Sequence, residues 1–245
     1  MPSDPWIRRF RPTSTATARL VCLPHAGGSA SWYLPVASAL SPRADVLAIQ
    51  YPGRQDRGRE APLPDLATLA DRLAPVLLPL DDLPLFLFGH SMGASLAFEL
   101  TRRLEAAGLP VARLFVSGRR APSVLHDGRV HLMDDAGLLG HLRGLDGTAP
   151  AVLDDADLMR AALPALRADY RAAELYRGTP GATVAAPVTA LGGDADPETP
   201  VADVAAWSAH TTGGFELEVF PGGHFFVTGR AASDVLALLE RRLHG

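Results

Sequence analysis

Six short runs along the chain are largely apolar on both alternating positions of an extended strand: residues 19–24 (RLVCLP), 46–50 (VLAIQ), 85–88 (LFLF), 114–117 (LFVS), 188–191 (VTAL) and 217–220 (LEVF). Strands covered by helices on both faces carry that pattern, whereas half-exposed strands alternate. The first run stops at HAGGSA, the second at Tyr51-Pro52-Gly53 and the third at Gly89, all turn-forming. Between the runs the period changes. Residues 92–107 place Leu96, Leu100 and Leu104 on one side and Glu99, Arg102 and Arg103 on the other, with Gly108 as the stop. A last helix is predicted to begin near the capping pair Ser233-Asp234 and to carry Val235, Leu236, Leu239 and Leu243. Strands alternating with helices predict one α/β domain over residues 1–245, built on a mainly parallel sheet.

Residues 124–181 interrupt this rhythm, with no strand of their own and a helical pattern over 157–176. A structureless loop of that length is improbable, so a helical insertion is predicted. Lying between two strand ends, it falls over the carboxyl edge of the sheet, where α/β proteins bind ligands.

Composition removes alternatives. Apolar residues make up 47% of the chain and charged residues 20%, which excludes disorder or a collagen-like repeat as a description of the whole. The net charge of −4 argues against a dedicated nucleic-acid binder. All 23 basic residues are arginine, and Cys22, the single cysteine, has no partner for an internal disulfide. The start, MPSDPWIRRF, lacks the apolar stretch of a signal peptide, and no run approaches the roughly eighteen apolar residues of a membrane span. A soluble, cytoplasmic protein is therefore expected.

The strongest local signal is Gly89-His90-Ser91-Met92-Gly93, a G-x-S-x-G motif. It follows a predicted strand and opens a predicted helix, which is the setting of a nucleophile elbow. That turn is tight, so small residues must flank it, and it lifts the serine hydroxyl above the sheet edge. The Met92 N–H, at the positive end of its helix, is a candidate oxyanion donor. A second donor is expected from the loop after the first core strand, 24–29 (PHAGGS), where Ala26 is preferred and Gly27 competes. No G-x-x-x-x-G-K-[ST] is present, so nucleotide binding is set aside.

The serine needs a base. His90 adjoins it and points elsewhere in such a turn. His126, His131 and His141 fall in the insertion and, without neighbouring cysteines, make a poor zinc set. His210 sits in a helical stretch and His244 is penultimate. His224, in the turn Pro221-Gly222-Gly223-His224 after the last strand, is left. The orienting acid should precede it in chain order. Asp194 and Asp196 both lie in GGDADP after a strand; Asp196 is preferred, and Asp194 is then a loop-shaping residue. Arg119 and Arg120, after the fourth run, are either solvated surface charge or contacts to an acidic partner or a phosphate.

Taken in order, LVCLPHAGGSASWY, IQYPGRQDR, FGHSMGASLAFEL, VSGRRAPS, LGGDADPE and FPGGHFF resemble a type II thioesterase, the free-standing α/β-hydrolase that accompanies modular polyketide and nonribosomal peptide synthetases. The likeness runs from about Trp6 to the last helix. It implies removal of stalled or misprimed acyl groups, or release of a precursor, from the phosphopantetheine arm of an acyl or peptidyl carrier protein. It also implies Ser91 as nucleophile, His224 as base, the GGDADP aspartate as its partner, and the insertion as a lid over the acyl pocket. Neither metal nor cofactor is implied, the phosphopantetheine belonging to the substrate, and no membrane or nucleic acid is expected as partner. An esterase or acyl-CoA thioesterase with the same triad and no carrier partner is the alternative.

Overall fold

Sorting the strand residues by parity separates two cores. In the computed structural model, which describes residues 4–145, 147 and 150–244, Val21, Leu23, Leu47, Ile49, Leu85, Leu87, Leu114 and Val116 face one side, while Leu20, Cys22, Val46, Ala48, Phe86, Phe88 and Phe115 face the other. The strands and helices run β1 (Ile7–Arg8), β2 (Ala18–Leu23), α1 (Leu34–Leu40), β3 (Ala44–Ile49), α2 (Leu66–Leu77), β4 (Leu85–His90), α3 (Met92–Ala106) and β5 (Arg113–Ser117). They continue through α4 (Asp135–Gly144), α5 (Pro150–Leu153), α6 (Ala156–Glu174), β6 (Val188–Gly193), α7 (Val201–Ala205), β7 (Phe215–Phe220) and α8 (Ala232–His244). One seven-stranded sheet results, in the order β1-β3-β2-β4-β5-β6-β7. It is parallel throughout except for β1, which pairs antiparallel with β3.

The first core takes Leu69, Leu73 and Leu77 of α2 and Leu96, Leu100 and Leu104 of α3. The second takes Ala37 and Leu40 of α1 and Val235, Leu238 and Leu239 of α8. Helices thus cover both faces, as the unbroken apolar runs require. Cys22 lies buried in the second core, where loss of solvation raises its thiol far above the usual range.

Several boundaries differ from expectation: β3 starts at Ala44 and β7 at Phe215, each two residues before the predicted run, and β1 has no predicted counterpart. β1 is two residues long, too short for any periodic signal, and it exists through its ladder to β3, with Ile7 opposite Ile49. The last helix starts at Ala232, so Ser233 and Asp234 lie within its first turn and do not precede it.

The insertion is helical as predicted, with α4, α5 and α6 between β5 and β6. Residues 146, 148 and 149 of that stretch lie outside the described ones. Aspartates start its long helices: Asp134 accepts from the Gly137 N–H at 2.8 Å and Asp155 from the Leu158 N–H at 3.0 Å. Leu138 and Leu166 pack with Val130 as a small separate core. The insertion closes onto the carboxyl edge, where a Cβ placed on Gly27, in the loop after β2, would overlap the Leu166 side chain.

Candidate active site

Ser91 occupies φ +53°, ψ −119°, a strained conformation for a residue other than glycine. The surroundings hold it there. Its N–H donates to the Ser117 carbonyl at 2.8 Å, and its own carbonyl accepts from the Ala94 N–H at 3.0 Å. The flanking glycines are sterically required: a Cβ on Gly89 would overlap the Gly93 backbone, and one on Gly93 the Leu23 carbonyl. The G-x-S-x-G spacing is therefore the footprint of one tight crossing between β4, α3 and the end of β2.

His224 stands beside it on the turn after β7. Its Nε2 lies 3.1 Å from Ser91 Oγ, and its Nδ1 lies 2.9 Å from Asp196 Oδ2. A carboxylate only accepts, so Nδ1 carries the ring proton, and Nε2 is left to accept from the serine hydroxyl. Asp196 has a fully buried side chain. Its Oδ1 takes the N–H groups of Glu198 at 2.8 Å and Thr199 at 3.2 Å, which fixes the plane of the carboxylate. Asp194 is exposed and does something else. Its Oδ1 accepts from the Gly222 N–H at 2.9 Å and so ties the β6 loop to the His224 turn. The structure brings Ser91, His224 and Asp196 into one hydrogen-bonded line and leaves Asp194 outside it.

The oxyanion candidates are separated by the same reasoning. Gly27 donates its N–H to Asp169 Oδ2 at 2.8 Å, and Gly28 donates to the His25 carbonyl at 2.9 Å. Both amides are engaged, which favours Ala26 over Gly27. Ala26 lines a narrow cavity of about 60 Å³ together with Ser91 and His224. The Met92 amide sits at the N-terminus of α3, beside the serine.

That narrow cavity shares His25, Ala26, Leu145, Tyr170 and Phe225 with a second one of about 520 Å³ beneath the helical insertion. The larger cavity is walled chiefly by Leu142, Val152, Leu153, Leu158, Met159 and Leu166. A groove of about 790 Å³ between α2, α3 and the end of α6 contains none of the three residues and plays no part in the site.

Arg119 and Arg120 line the narrow cavity, but neither is a solvated surface charge. Arg119 donates from Nε to Ser95 Oγ at 2.9 Å and from Nη2 to the Ala173 carbonyl at 2.6 Å. Burial pushes its pKa down to about 10, and it stays charged at neutral pH. Arg120 donates to the Glu198 carbonyl and lies 3.8 Å from Asp203. The pair braces the walls around Ser91.

Two further histidines crowd the site. His90 is fully buried, its Nδ1 3.0 Å from Ser117 Oγ, and it stacks on Trp32 at 5.5 Å between ring centres. His25 packs edge-on against Phe225 at 4.9 Å. Burial, then the neighbouring His224, hold both well below the ordinary histidine range, His25 down to about 3. Both rings are therefore neutral at physiological pH. Among the described residues no group of three or more His, Cys, Asp or Glu is placed to hold a metal ion, and no helix is long and apolar enough to cross a membrane.

A model of the thioesterase domain matches residues 18–243. The chain belongs to the thioesterase family. Among curated relatives of this thioesterase, it is 52% identical over 223 residues to the "Probable cadicidin biosynthesis thioesterase" of Streptomyces griseus, covering 91% of this chain and 62% of that protein. It is 48% identical over 224 residues to "Thioesterase PikA5" of Streptomyces venezuelae, covering 91% of this chain and 80% of that one. The chain therefore spans less than two thirds of the length of the first relative and most of the second. Among solved structures, that of "the type II thioesterase BorB from the borrelidin biosynthetic cluster" superposes with a TM-score of 0.93 at 52% identity, covering 100% of both chains. The α/β-hydrolase fold anticipated from the motifs is the fold of the family.

Some of the site lay outside the reach of motif reading. Phe225 and Tyr170 line both cavities; Phe225 stands in the FPGGHFF motif, which does not assign it a role, and Tyr170 carries no local signature. Arg54 and Asp169 form a buried ion pair between the loop after β3 and α6. Asp169 did leave a trace: it stands on the stripe Leu166, Asp169, Ala173 of α6, a charge at a position where the helix is otherwise buried and apolar.

Proposed function

We propose that this thioesterase hydrolyses acyl groups from the phosphopantetheine arm of carrier proteins in a modular synthase, with Ser91, His224 and Asp196 as its triad. The observation that carries the reading is the line from Asp196 through His224 to Ser91, opening on a narrow passage that meets an apolar cavity under a helical lid. A slender arm suits the passage and an acyl chain suits the cavity. The names of two relatives, a cadicidin biosynthesis thioesterase and a type II thioesterase from the borrelidin biosynthetic cluster, support the choice of substrate class.

The chemistry follows from the geometry. His224 Nε2 takes the Ser91 hydroxyl proton as Oγ attacks the thioester carbonyl. The carbonyl oxygen takes up the negative charge and is held by the Met92 and Ala26 N–H groups. Collapse breaks the carbon–sulfur bond, and the pantetheine thiol leaves with the proton from His224. Water then attacks the acyl-serine as His224 Nε2 takes its proton, and collapse breaks the bond from the acyl carbon to Oγ as that proton passes to Ser91, releasing the carboxylic acid. Asp196 keeps the imidazole in the tautomer that accepts at Nε2 and stabilises the imidazolium.

Carrier dependence is tested by comparing one acyl group on a carrier protein, on coenzyme A and in an aryl ester. The carrier thioester should be hydrolysed with at least about tenfold higher kcat/KM than the coenzyme A thioester, because contacts remote from the reacting carbon contribute to transition-state binding. Equal or better hydrolysis of the coenzyme A thioester or the ester would favour a hydrolase of free substrates.

A further inference from the structure

The loop that carries Ala26 is held from the lid. Gly27 adopts φ +76°, a region that leaves a glycine many alternatives unless something restrains it. Its N–H donates to Asp169 Oδ2 at 2.8 Å. Asp169 belongs to α6 and is the one charged side chain among that helix's buried residues. The same oxygen receives Arg54 Nη2. Arg54 in turn donates from Nε to the Gly28 carbonyl at 3.2 Å and from Nη1 to the Pro52 carbonyl at 2.6 Å. One carboxylate and one guanidinium, with 4% and 7% of their side-chain surfaces exposed, therefore fasten three segments together. Leu166, one turn earlier on α6, fills the space beside Gly27 and fits only because that residue lacks a Cβ.

The peptide plane held by Asp169 is the one between Ala26 and Gly27, and Arg54 holds the loop again at Gly28. Together they restrict the rotations that aim the Ala26 N–H. We infer that Asp169 and Arg54 are positioning residues, which hold the Ala26 N–H in line only while α6 is seated, so that closing the lid over an acyl chain completes the oxyanion hole. This rests on the roles of Ser91 and Ala26 proposed above. An acyl chain that fills the cavity seats α6 and raises kcat; a lifted lid withdraws the carboxylate and relaxes the loop. Lid and oxyanion hole act as one unit.

The test uses the whole chain, an acyl-N-acetylcysteamine thioester and a trifluoromethyl ketone of the same acyl chain, whose adduct with Ser91 places an oxyanion in the hole. Asp169→Leu, which removes the acceptor of both the Gly27 N–H and Arg54, should lower kcat by about 100-fold, the penalty of a small misplacement of catalytic groups, with little change in KM. The inhibition constant of the ketone should rise in the same proportion as kcat/KM falls. An unchanged kcat, or an effect on KM alone, overturns the proposal. A purely structural ion pair is distinguished by Asp169→Leu combined with Arg54→Met, because apolar replacement of both partners preserves or raises stability. The double variant should recover thermal stability and keep the low kcat; recovery of kcat with stability overturns the proposal. Should neither variant fold, hydrogen exchange on the wild type decides. The Gly27 amide and the amides of 165–173 should exchange together and slow together with the ketone bound, and independent exchange of Gly27 overturns the coupling. Absence of any thioester turnover by the wild type would strike the proposed activity, while the exchange result would remain readable.

Discussion

Replacing Ser91 by alanine should reduce kcat for thioester hydrolysis by about 10⁶-fold and abolish the covalent intermediate, because a nucleophile and its base act as a unit and losing either loses both. The hydroxyl is only a small part of what keeps the elbow in place. The Ser117 and Ala94 hydrogen bonds are made by the backbone at residue 91, and the glycine contacts belong to Gly89 and Gly93. The variant should therefore melt within a few degrees of the wild type. Serine and alanine carry the same Cβ, so the strain of the positive φ at this position is common to both and the substitution adds no backbone penalty. Steady-state hydrolysis alongside a melting curve checks both halves; turnover within about tenfold of the wild type would remove Ser91 from the mechanism.

Asp196→Asn should cost about 10⁴ in kcat, equivalent to about 5.5 kcal/mol of transition-state stabilisation. The substitution keeps the shape and keeps an acceptor for the Glu198 and Thr199 N–H groups. What changes is the face toward His224. An amide N–H there would favour the tautomer with its proton on Nε2, and a protonated Nε2 cannot accept from the serine. Asp194→Asn should cost tenfold or less, since an asparagine can still accept from the Gly222 N–H. The two variants make a matched pair, alike in chemistry and two residues apart. The opposite ranking in kcat would transfer the orienting role to Asp194.

The choice between those aspartates shows where sequence reading ends. Loop position, not side-chain direction, is what GGDADP reveals, and both aspartates share it. In three dimensions the loop points Asp196 inward, where the Glu198 and Thr199 amides meet it, and Asp194 outward toward Gly222. The elbow was legible because a steric requirement leaves a spaced signature, small residues at Gly89 and Gly93 around Ser91. β2 to β6 were legible because burial on both faces removes the polar alternation, whereas β7 is mostly half-exposed and keeps Glu216 and Glu218. β1 was not, since two residues carry no period and their pairing is decided by β3. The helices of the insertion were visible as helices. The tie between α6 and the loop after β2 joins residues 142 positions apart in the chain, and no local pattern encodes such a contact. Arg119 and Arg120 show the converse: the sequence leaves them open between surface charge and contacts to an acidic partner or a phosphate, and both are occupied by backbone carbonyls and hydroxyl or carboxylate neighbours around the site.

The account stands most directly on the covalent intermediate formed from a carrier-bound thioester. Mixing the enzyme with an acyl carrier protein, quenching with acid within milliseconds to seconds and mapping the digested chain by mass spectrometry reads that species. An acyl adduct on the peptide containing Ser91, forming no later than free acid appears and absent from the Ser91→Ala variant, is the predicted result. Release of free acid with no adduct at Ser91, and undiminished release by the alanine variant, would contradict it.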